Sequence, residues 1–185
     1  MKQTWKPGTL LYPLPAVLVS CGTVEKPNAM TAAWTGTICS DPVMAYVSIR
    51  PERHSYGLIE KSGEFVLNLT TEKLARATDL CGVKSGRDTD KFRLCRLTPE
   101  NAAEISAPLI KESPVNIECK VEKIVPLGSH SMFIGRVLAV DVEESLLDSK
   151  GRLQLEKANL LAYSHGEYFA LGRKIGTFGW TVRKK

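Results

Sequence analysis

The sequence predicts a mainly β protein, in which an antiparallel sheet closes or nearly closes into a barrel with only a few helices. Two observations support this fold class. Short segments rich in β-branched residues, separated by turn-forming residues, fill the first half of the chain. From Pro114 onward, apolar and polar residues alternate with a period of two, as in strands that bury one face. Closure of such a sheet would remove its exposed edges.

Four strands are predicted in the first half of the chain. They cover residues 16–23, 30–37, 43–49 and 64–69. Turn-forming residues such as Ser40-Asp41-Pro42 separate neighbouring strands. A short helix is predicted over residues 54–61, between the third and fourth strands, because Ser62-Gly63 is typical of a helix end.

A second helix follows the fourth strand and has the clearest helical spacing in the chain. Its expected buried face consists of Leu74, Ala77, Thr78 and Cys81. Thr70 or Thr71 is the expected N-cap, and Glu72 lies in the first turn. Gly82 is expected to end this helix.

The second half of the chain is predicted to contain a long antiparallel hairpin. In its first strand the residues expected to face the core are Val115, Ile117, Cys119 and Val121, and those expected on the exposed face are Asn116, Glu118, Lys120 and Glu122. Residues 133–142 form the second strand, and residues 126–130 form the connection. Residues 160–171 are expected to close the barrel.

Length and composition indicate a single domain over residues 1–185. The hydrophobic fraction of 43% and the charged fraction of 24% are ordinary for a globular protein, and no linker-like segment divides the chain. Pro13 and Pro15 interrupt the first apolar stretch well short of a signal or membrane-spanning helix. The protein is therefore expected in the cytoplasm, without a membrane partner.

The cysteines and histidines do not suggest a metal site. There are five cysteines, widely spaced and without a C-x-x-C pair, and the three histidines lie in different segments. An odd, dispersed set of cysteines argues against a disulfide framework and fits a reducing compartment. No histidine has a second ligand at metal-binding spacing.

The net charge of +5 raises the hypothesis of nucleic-acid binding, which the pattern of charges does not favour. Basic residues alternate with acidic ones along the chain, and the dense basic cluster at residues 183–185 is interpreted as a solvated end. Aromatic residues make up only 7% of the chain and do not alternate with lysines. A modest positive field would instead attract an anionic cofactor.

A site for a flat, phosphorylated cofactor is predicted between Asn28 and Ser55. The small and hydroxyl residues of segment 31–37 allow the backbone to approach a planar ring and hydrogen-bond its edge. Ser48, Arg50, Arg53 and Ser55 then provide cationic and hydroxyl donors suited to a phosphate. The alternative is an ordinary strand and turn whose arginines pair with nearby glutamates. No G-x-G-x-x-G or P-loop pattern is present.

Several motifs, in order along the chain, carry a resemblance to a known family. They are N-A-M-T-A-A-W-T-G-T-I-C-S-D-P, R-P-E-R-H-S, G-E-F-V-L-N-L-T, C-G-V-K-S-G-R-D-T-D-K-F, P-L-I-K-E-S-P-V-N-I-E-C and Y-S-H-G-E-Y-F-A-L-G. With these motifs the chain resembles the flavin reductase-like family, most closely its flavoredoxin branch, over nearly its whole length. The resemblance implies one FMN-binding domain, an antiparallel split β-barrel.

The resemblance also implies a set of cofactor-binding residues. They are Asn28, Thr31, Ala32, Ala33, Trp34, Thr35, Cys39, Ser48, Ile49, Arg50, Ser55, Lys91 and Phe92. It suggests no certain catalytic residue, because the flavin itself carries the chemistry. Tyr163 and His165, together with Tyr168, are candidates for a flavin or nicotinamide pocket, either within one subunit or shared with a dimer partner. Their alternative role is closure of the barrel by packed aromatic rings.

Two functional hypotheses follow from the resemblance. In the first, the protein is an oxidoreductase that is reduced by NADH or NADPH and acts on flavin or ferric iron. In the second, it is a non-enzymatic FMN electron carrier that works with a redox protein partner. Both hypotheses include a homodimer, and the sequence contains no separate nicotinamide motif that would decide between them.

Overall fold

The computed structural model describes residues 1–182, so the predicted solvated tail 183–185 lies outside the described residues. The strands are β1 (Leu14–Pro15), β2 (Val17–Gly22), β3 (Pro27–Ala32), β4 (Thr35–Ser40), β5 (Val43–Ile49), β6 (Glu64–Leu69), β7 (Pro99–Glu100), β8 (Leu109–Ile110), β9 (Val115–Pro126), β10 (Ser131–Val142), β11 (Leu161–Ser164) and β12 (Glu167–Ala170). The helices are α1 (His54–Ser62), α2 (Ala75–Val83) and α3 (Lys91–Cys95). None of the helices in residues 1–182 combines the length and apolar character needed to cross a membrane.

A seven-stranded antiparallel sheet forms the body of the protein, in the order β3-β2-β6-β9-β10-β5-β4. The predicted long hairpin is confirmed as β9 and β10, which pair along their length with register shifts at Ile134/Gly135 and Val137/Ala139. Such irregularities bend a strand and increase its twist. Residues on the concave face of the curved sheet form one core. The mainly β, split-barrel fold class is thus confirmed.

The core lies inside the curved sheet and is closed on one side by α1. Val19, Val47, Phe65 and Phe133 are fully buried there, and Ile59 of α1 packs against them. Gly135 gives the phenyl rings room, because a Cβ at that position would lie 2.9 Å from Cζ of Phe65. The predicted helix over 54–61 therefore does form and covers the barrel interior.

The predicted single strand over 30–37 is wrong. The chain leaves β3 at Ala32, bends at Ala33 and Trp34, and begins β4 at Thr35. β3 and β4 are the two opposite edges of the sheet, and we call the gap between them the open seam of the barrel. The bend at Ala33 and Trp34 carries the chain across this seam. The backbone N–H of Ser48 donates to the carbonyl of Trp34 at 2.8 Å and fixes the bend to β5.

The second predicted helix forms, but its ends differ from the prediction. Its buried face is as expected. Thr71 precedes a 3-10 turn at Glu72–Leu74 and makes no side-chain capping bond. Gly82 lies inside α2 and does not end it. Gly82 is not in the left-handed conformation that ends a helix, and it packs close to Thr31 of β3.

Two residues of β9 that were expected on an exposed face, Asn116 and Glu118, are buried. Residues 97–113 cover the outer face of β6 and β9 at this point. The Glu118 carboxylate accepts hydrogen bonds from the backbone N–H groups of Ala103 at 2.7 Å and Glu104 at 2.8 Å. The predicted alternation along β9 was correct, but the face expected to be exposed is covered by residues 97–113, which have almost no regular structure.

Residues 160–171 do not close the seven-stranded sheet, contrary to prediction. They form β11 and β12, which join β1 in a separate three-stranded sheet. A hydrogen bond of 3.0 Å from the N–H of Leu161 to the carbonyl of Thr70 ties this small sheet to the end of β6. It therefore stands beside the open seam of the barrel.

Candidate functional site

Two connected cavities lie at the open seam, where the bend between β3 and β4 meets the end of β5. The aromatic cavity has a volume of about 520 Å³, and its walls include Tyr12, Trp34, His130, Tyr163 and Tyr168. The cationic cavity has a volume of about 390 Å³ and is lined by Arg50, Arg53, Lys84, Arg87 and Lys91. Both cavities include Met30, Arg50 and Arg53 in their walls, so together they form one elongated site.

The cationic cavity is built where β5 ends and α1 begins. Pro51 prevents β5 from continuing, and the turn that follows places Arg53 at the N-cap of α1, where no side-chain hydrogen bond caps the helix. Arg53 Nη1 donates to the carbonyl of Gly82 at 3.1 Å, and Arg87 Nη2 donates to the carbonyl of Glu52 at 3.0 Å. These bonds to neutral carbonyls hold the guanidinium groups without neutralising their charge.

Carboxylates are nearly absent from the cationic cavity. Glu52 is the one acidic residue among the described residues that line it. Its nearest cation is Arg50, at 3.7 Å between Nη1 and Oε1, and both side chains are more than half exposed. An exposed pair at this distance contributes little. The excess positive charge therefore suits an anionic ligand.

Lys91 gives the clearest electrostatic signal in the site. It is only 4% exposed, and its Nζ donates to the carbonyls of Cys81 at 3.4 Å and Lys84 at 3.3 Å. None of the ion pairs among residues 1–182 includes Lys91. Burial lowers the pKa of this amine, because the charged form is removed from water without a carboxylate to replace it. A bound anion would supply the missing partner.

A buried hydroxyl completes the cationic cavity. Ser55, in the first turn of α1, is 2% exposed, and its Oγ accepts a 2.7 Å hydrogen bond from Nδ2 of Asn28. Because Oγ accepts from the amide, its own proton remains available to a ligand in the cavity. The loop over 84–88 lies directly against this pair, and a Cβ on Gly86 would lie 2.0 Å from Oδ1 of Asn28.

The aromatic cavity has a backbone wall. Residues 30–34 line it, and β3 is an edge strand that pairs only with β2 among the described residues. Backbone N–H and C=O groups on the free side of such an edge can hydrogen-bond a planar ligand. Two of the side-chain hydroxyls predicted for this role are already engaged. Thr31 Oγ1 donates to the carbonyl of Thr78, and Thr35 Oγ1 donates to the carbonyl of Tyr46.

His130 lies in the aromatic cavity and was not identified from the sequence. Its ring packs on Trp34 with 4.4 Å between ring centroids, and Nδ1 lies 2.9 Å from Oγ of Ser129. Burial, together with the nearby Arg50 and Arg53, lowers its pKa and so favours the neutral ring. His130 reaches the site because its neighbour Ser131 pairs with Ile49 at the end of β5.

The small sheet contributes a cluster of tyrosines. Tyr163 packs against Tyr12, with 6.0 Å between centroids, and against Tyr168, with 5.6 Å between centroids. All three tyrosines line the aromatic cavity. His165 does not line it. This residue lies at the turn between β11 and β12 with a φ of 49° and packs against Tyr12.

The structure brings most of the predicted site residues together. Those that line one or both cavities are Thr31, Ala32, Ala33, Trp34, Ser48, Ile49, Arg50, Ser55, Lys91 and Tyr163. Asn28 lies behind Ser55 and orients it. Phe92 packs in a hydrophobic cluster with residues of α2, and Cys39 donates to the carbonyl of Asp41 at 3.3 Å, so neither lines a cavity. No cluster of three metal-ligating side chains occurs in the described part of the chain.

The chain is similar in sequence to proteins of a known family. Residues 9–172 match the model of the flavin reductase like domain. The chain is 36% identical over 140 residues to an uncharacterized protein of Archaeoglobus fulgidus, covering 76% of this chain and 78% of that one. It is 28% identical over 129 residues to the NADH-dependent FMN reductase AsuE2 of Streptomyces nodosus subsp. asukaensis, covering 69% and 68% of the two chains.

Solved structures give a closer geometric match. The flavoredoxin of Desulfovibrio vulgaris (Miyazaki F) superposes with a TM-score of 0.91 at 32% identity, covering 99% of this chain and 100% of that one. An FMN-binding protein from Thermus thermophilus, solved with 1-cyclohex-2-enone, gives a TM-score of 0.81 at 28% identity, with 96% and 99% covered.

Proposed function

Because the chain belongs to the flavin reductase-like domain family, we propose that it binds FMN along the joined cavities and acts as an oxidoreductase that accepts and passes on electrons. Family membership confirms the resemblance inferred from the sequence. The observation that carries the proposal is the buried Lys91, which has no carboxylate partner within residues 1–182 and faces a cavity rich in arginine. This is the environment that a phosphate monoester would neutralise.

The two cavities fit the two ends of FMN. In the cationic cavity, Lys91, Arg50 and the Ser55 hydroxyl would hold the phosphate. In the aromatic cavity, the backbone of residues 30–34 would hydrogen-bond the polar edge of the ring system, and Trp34 would pack beside it. Each volume lies in the range of about 300–1,000 Å³ that is typical of ligand sites.

The residues of this chain bind and orient the cofactor. Bound flavin supplies the redox chemistry, which is to accept a hydride or electrons and to pass them on. The aromatic walls, including Trp34 and the tyrosines, would shield part of the ring from water. His130 is packed on Trp34, and its lowered pKa favours the neutral ring, so it would shape the cavity wall with little added charge.

We further propose that NADH or NADPH reduces the bound flavin. The support is the similarity to a protein named as an NADH-dependent FMN reductase, together with the open, positively charged entrance to the site. The alternative is a permanent FMN carrier that exchanges electrons with a redox protein partner. That alternative is supported by the similarity to a flavoredoxin over nearly the full length of both chains.

A homodimer is also part of the proposal. Apolar side chains are exposed at one end of β4, β5 and β10, namely Ile38, Val43, Leu138 and Val140. Further exposed apolar residues, Trp5, Leu11, Ile175 and Phe178, lie in the two terminal segments. Monomers rarely expose this much apolar surface without a partner to cover it. Sedimentation equilibrium is expected to give twice the chain mass, whereas a monomer with full FMN occupancy would contradict the proposal.

The phosphate assignment can be tested by comparing two ligands. FMN and riboflavin share the ring system and differ in the phosphate, so Arg50→Ala should weaken FMN binding and leave riboflavin binding almost unchanged. The expected loss for FMN is about 1.5–3 kcal/mol, the contribution of a hydrogen bond to a charged group. Arg152→Ala, at an exposed arginine that lines neither cavity, is the matched control. Equal losses for both ligands would contradict the assignment.

The electron donor can be tested with the purified holoprotein under anaerobic conditions. Under the reductase proposal, NADH or NADPH bleaches the flavin absorbance in a stopped-flow experiment, as dithionite does. If dithionite bleaches the flavin and neither nicotinamide does, the carrier hypothesis replaces the reductase one. The FMN site itself is then unaffected, because it is tested separately by ligand titration.

A further inference from the structure

We propose that Cys81 and Cys95 form a reversible disulfide bond beneath the cationic cavity when the protein meets a peroxide. Their sulfur atoms lie 3.9 Å apart in the described structure, in which both thiols are free. The two cysteines belong to different helices, α2 and α3, which pack against each other in one hydrophobic cluster. A bond between them would therefore connect two elements that are already in contact.

The two thiols differ in solvent accessibility, and this difference indicates which of them reacts with peroxide first. Cys95 is partly exposed in a cleft whose other residues include Arg76 and Arg96. Partly exposed cysteines among cations are those that oxidants reach first. Cys81 is buried, and burial together with the neighbouring Cys95 raises its pKa to about 12. Cys95 is thus the first thiol to react, and Cys81 resolves the product.

The reaction balances with hydrogen peroxide as the oxidant. The Cys95 sulfur attacks the O–O bond and becomes a sulfenic acid, and the leaving hydroxide takes up a proton to form water. The Cys81 sulfur then attacks the Cys95 sulfur, and its thiol proton leaves with the displaced hydroxide as a second water. Two thiols and one peroxide thus give one disulfide and two water molecules.

The position of the bond explains what it would control. The loop it closes, residues 81–95, includes the wall residues Lys84, Arg87 and Lys91 of the cationic cavity. The carbonyl of Cys81 already accepts from Nζ of Lys91 at 3.4 Å. Closing this loop restricts the unfolded chain and fixes α3 on α2. Oxidation is therefore expected to stabilise the protein and the floor of the cavity together.

The other three cysteines do not offer such a pair. Cys21 and Cys119 are buried in the barrel core, and neither forms a sulfur–sulfur contact among the contacts of residues 1–182. Cys39 is partly exposed like Cys95, but its sulfur donates to the carbonyl of Asp41 at 3.3 Å, away from any described thiol. Cys39 therefore serves as the matched control.

The test treats the purified holoprotein with a small excess of hydrogen peroxide and counts thiols after denaturation. We expect the free thiols to fall from five to three, with recovery in dithiothreitol. Trypsin cleaves between the two cysteines, so peptides 77–84 and 94–96 should appear joined, two hydrogens lighter than their sum. The melting temperature should rise by about 5–10 °C, as a closed loop of this length predicts.

Two variants make the result decisive. Cys95→Ser should lose both the joined peptide and the rise in melting temperature, whereas Cys39→Ser should keep both. Recovery of Cys95 as a sulfinic acid without the joined peptide would overturn the proposal, and so would an equal rise in melting temperature in the Cys95→Ser variant. The thiol count and peptide map of the unmodified chain decide the outcome even if a variant fails to fold.

Discussion

Replacing Lys91 by methionine should weaken FMN binding and leave the cofactor-free protein as stable as before, or more stable. The opposite signs have one cause. Lys91 is 4% exposed, and its ammonium has two backbone carbonyls as partners and no carboxylate among the described residues. Methionine has a similar length and no charge. The substitution therefore removes both the attraction to a phosphate and the cost of burying the charge.

The size of each effect can be estimated. Loss of one charge-assisted contact to the phosphate costs about 1.5–3 kcal/mol, or roughly 10- to 150-fold in Kd. In the cofactor-free protein, the two hydrogen bonds that are lost are long, at 3.3 and 3.4 Å, and therefore weak. Relief of the buried charge should offset them, so the free energy of unfolding should change by zero to about +2 kcal/mol.

The pH dependence gives a second check on sign. Because burial lowers the pKa of Lys91, the charged amine costs stability at pH values below that lowered pKa. This cost begins to fall as the pH rises above the pKa in the folded state, and it is gone only above the higher, ordinary pKa of lysine in the unfolded chain. Any stability advantage of Lys91→Met in the cofactor-free protein should therefore shrink in alkaline solution.

The assays are flavin fluorescence titration for Kd and urea unfolding of the cofactor-free protein for stability. Lys84→Met is the matched control, because Lys84 lines the same cavity with an exposed side chain. It should weaken FMN binding less and leave stability unchanged within about 0.5 kcal/mol. The reasoning would be refuted if Lys91→Met lost stability by 2 kcal/mol or more while FMN affinity stayed the same, since Lys91 would then be a structural residue.

Three further predictions follow from positions where the structure leaves little freedom. Gly86→Ala should weaken FMN binding at least 10-fold in a fluorescence titration. The reason is that its Cβ would lie 2.0 Å from Oδ1 of Asn28 and would push the 84–88 loop off the cationic cavity. An unchanged Kd would show that the loop is not part of the site. Gly135→Ala should lower the free energy of unfolding in urea by about 1–3 kcal/mol, because its Cβ would lie 2.9 Å from a buried phenylalanine ring. An unchanged free energy of unfolding would mean that the core can expand there. Asp141→Asn should raise the melting temperature at pH 7, because burial and the neighbouring Glu118 raise the pKa of Asp141 and make its ionised form costly. That gain should fade as the pH falls below the raised pKa, and a gain that is the same at every pH would contradict this cause.

The sequence by itself determined the features that depend on local pattern. Alternation with a period of two located the strands of the β9–β10 hairpin, and helical spacing located the buried face of α2. Part of the cationic cavity was also predictable, because Arg50 and Ser55 lie close together in the chain between a strand and a helix. Residues that are close in the sequence stay close in space in any fold, so their grouping can be read from the sequence.

Only the tertiary structure decided features that depend on distant partners. The 30–37 segment has strand-like residues throughout, yet it bends at Ala33 because the two edges of one sheet must be joined there. Glu118 alternates as an exposed residue would, yet an irregular segment covers it. Lys91 and His130 reach the site through the packing of α3 and the pairing of β10 with β5. The spacing of residues along the chain does not predict such contacts, because each contact depends on strand pairing and burial between segments that are far apart in the sequence.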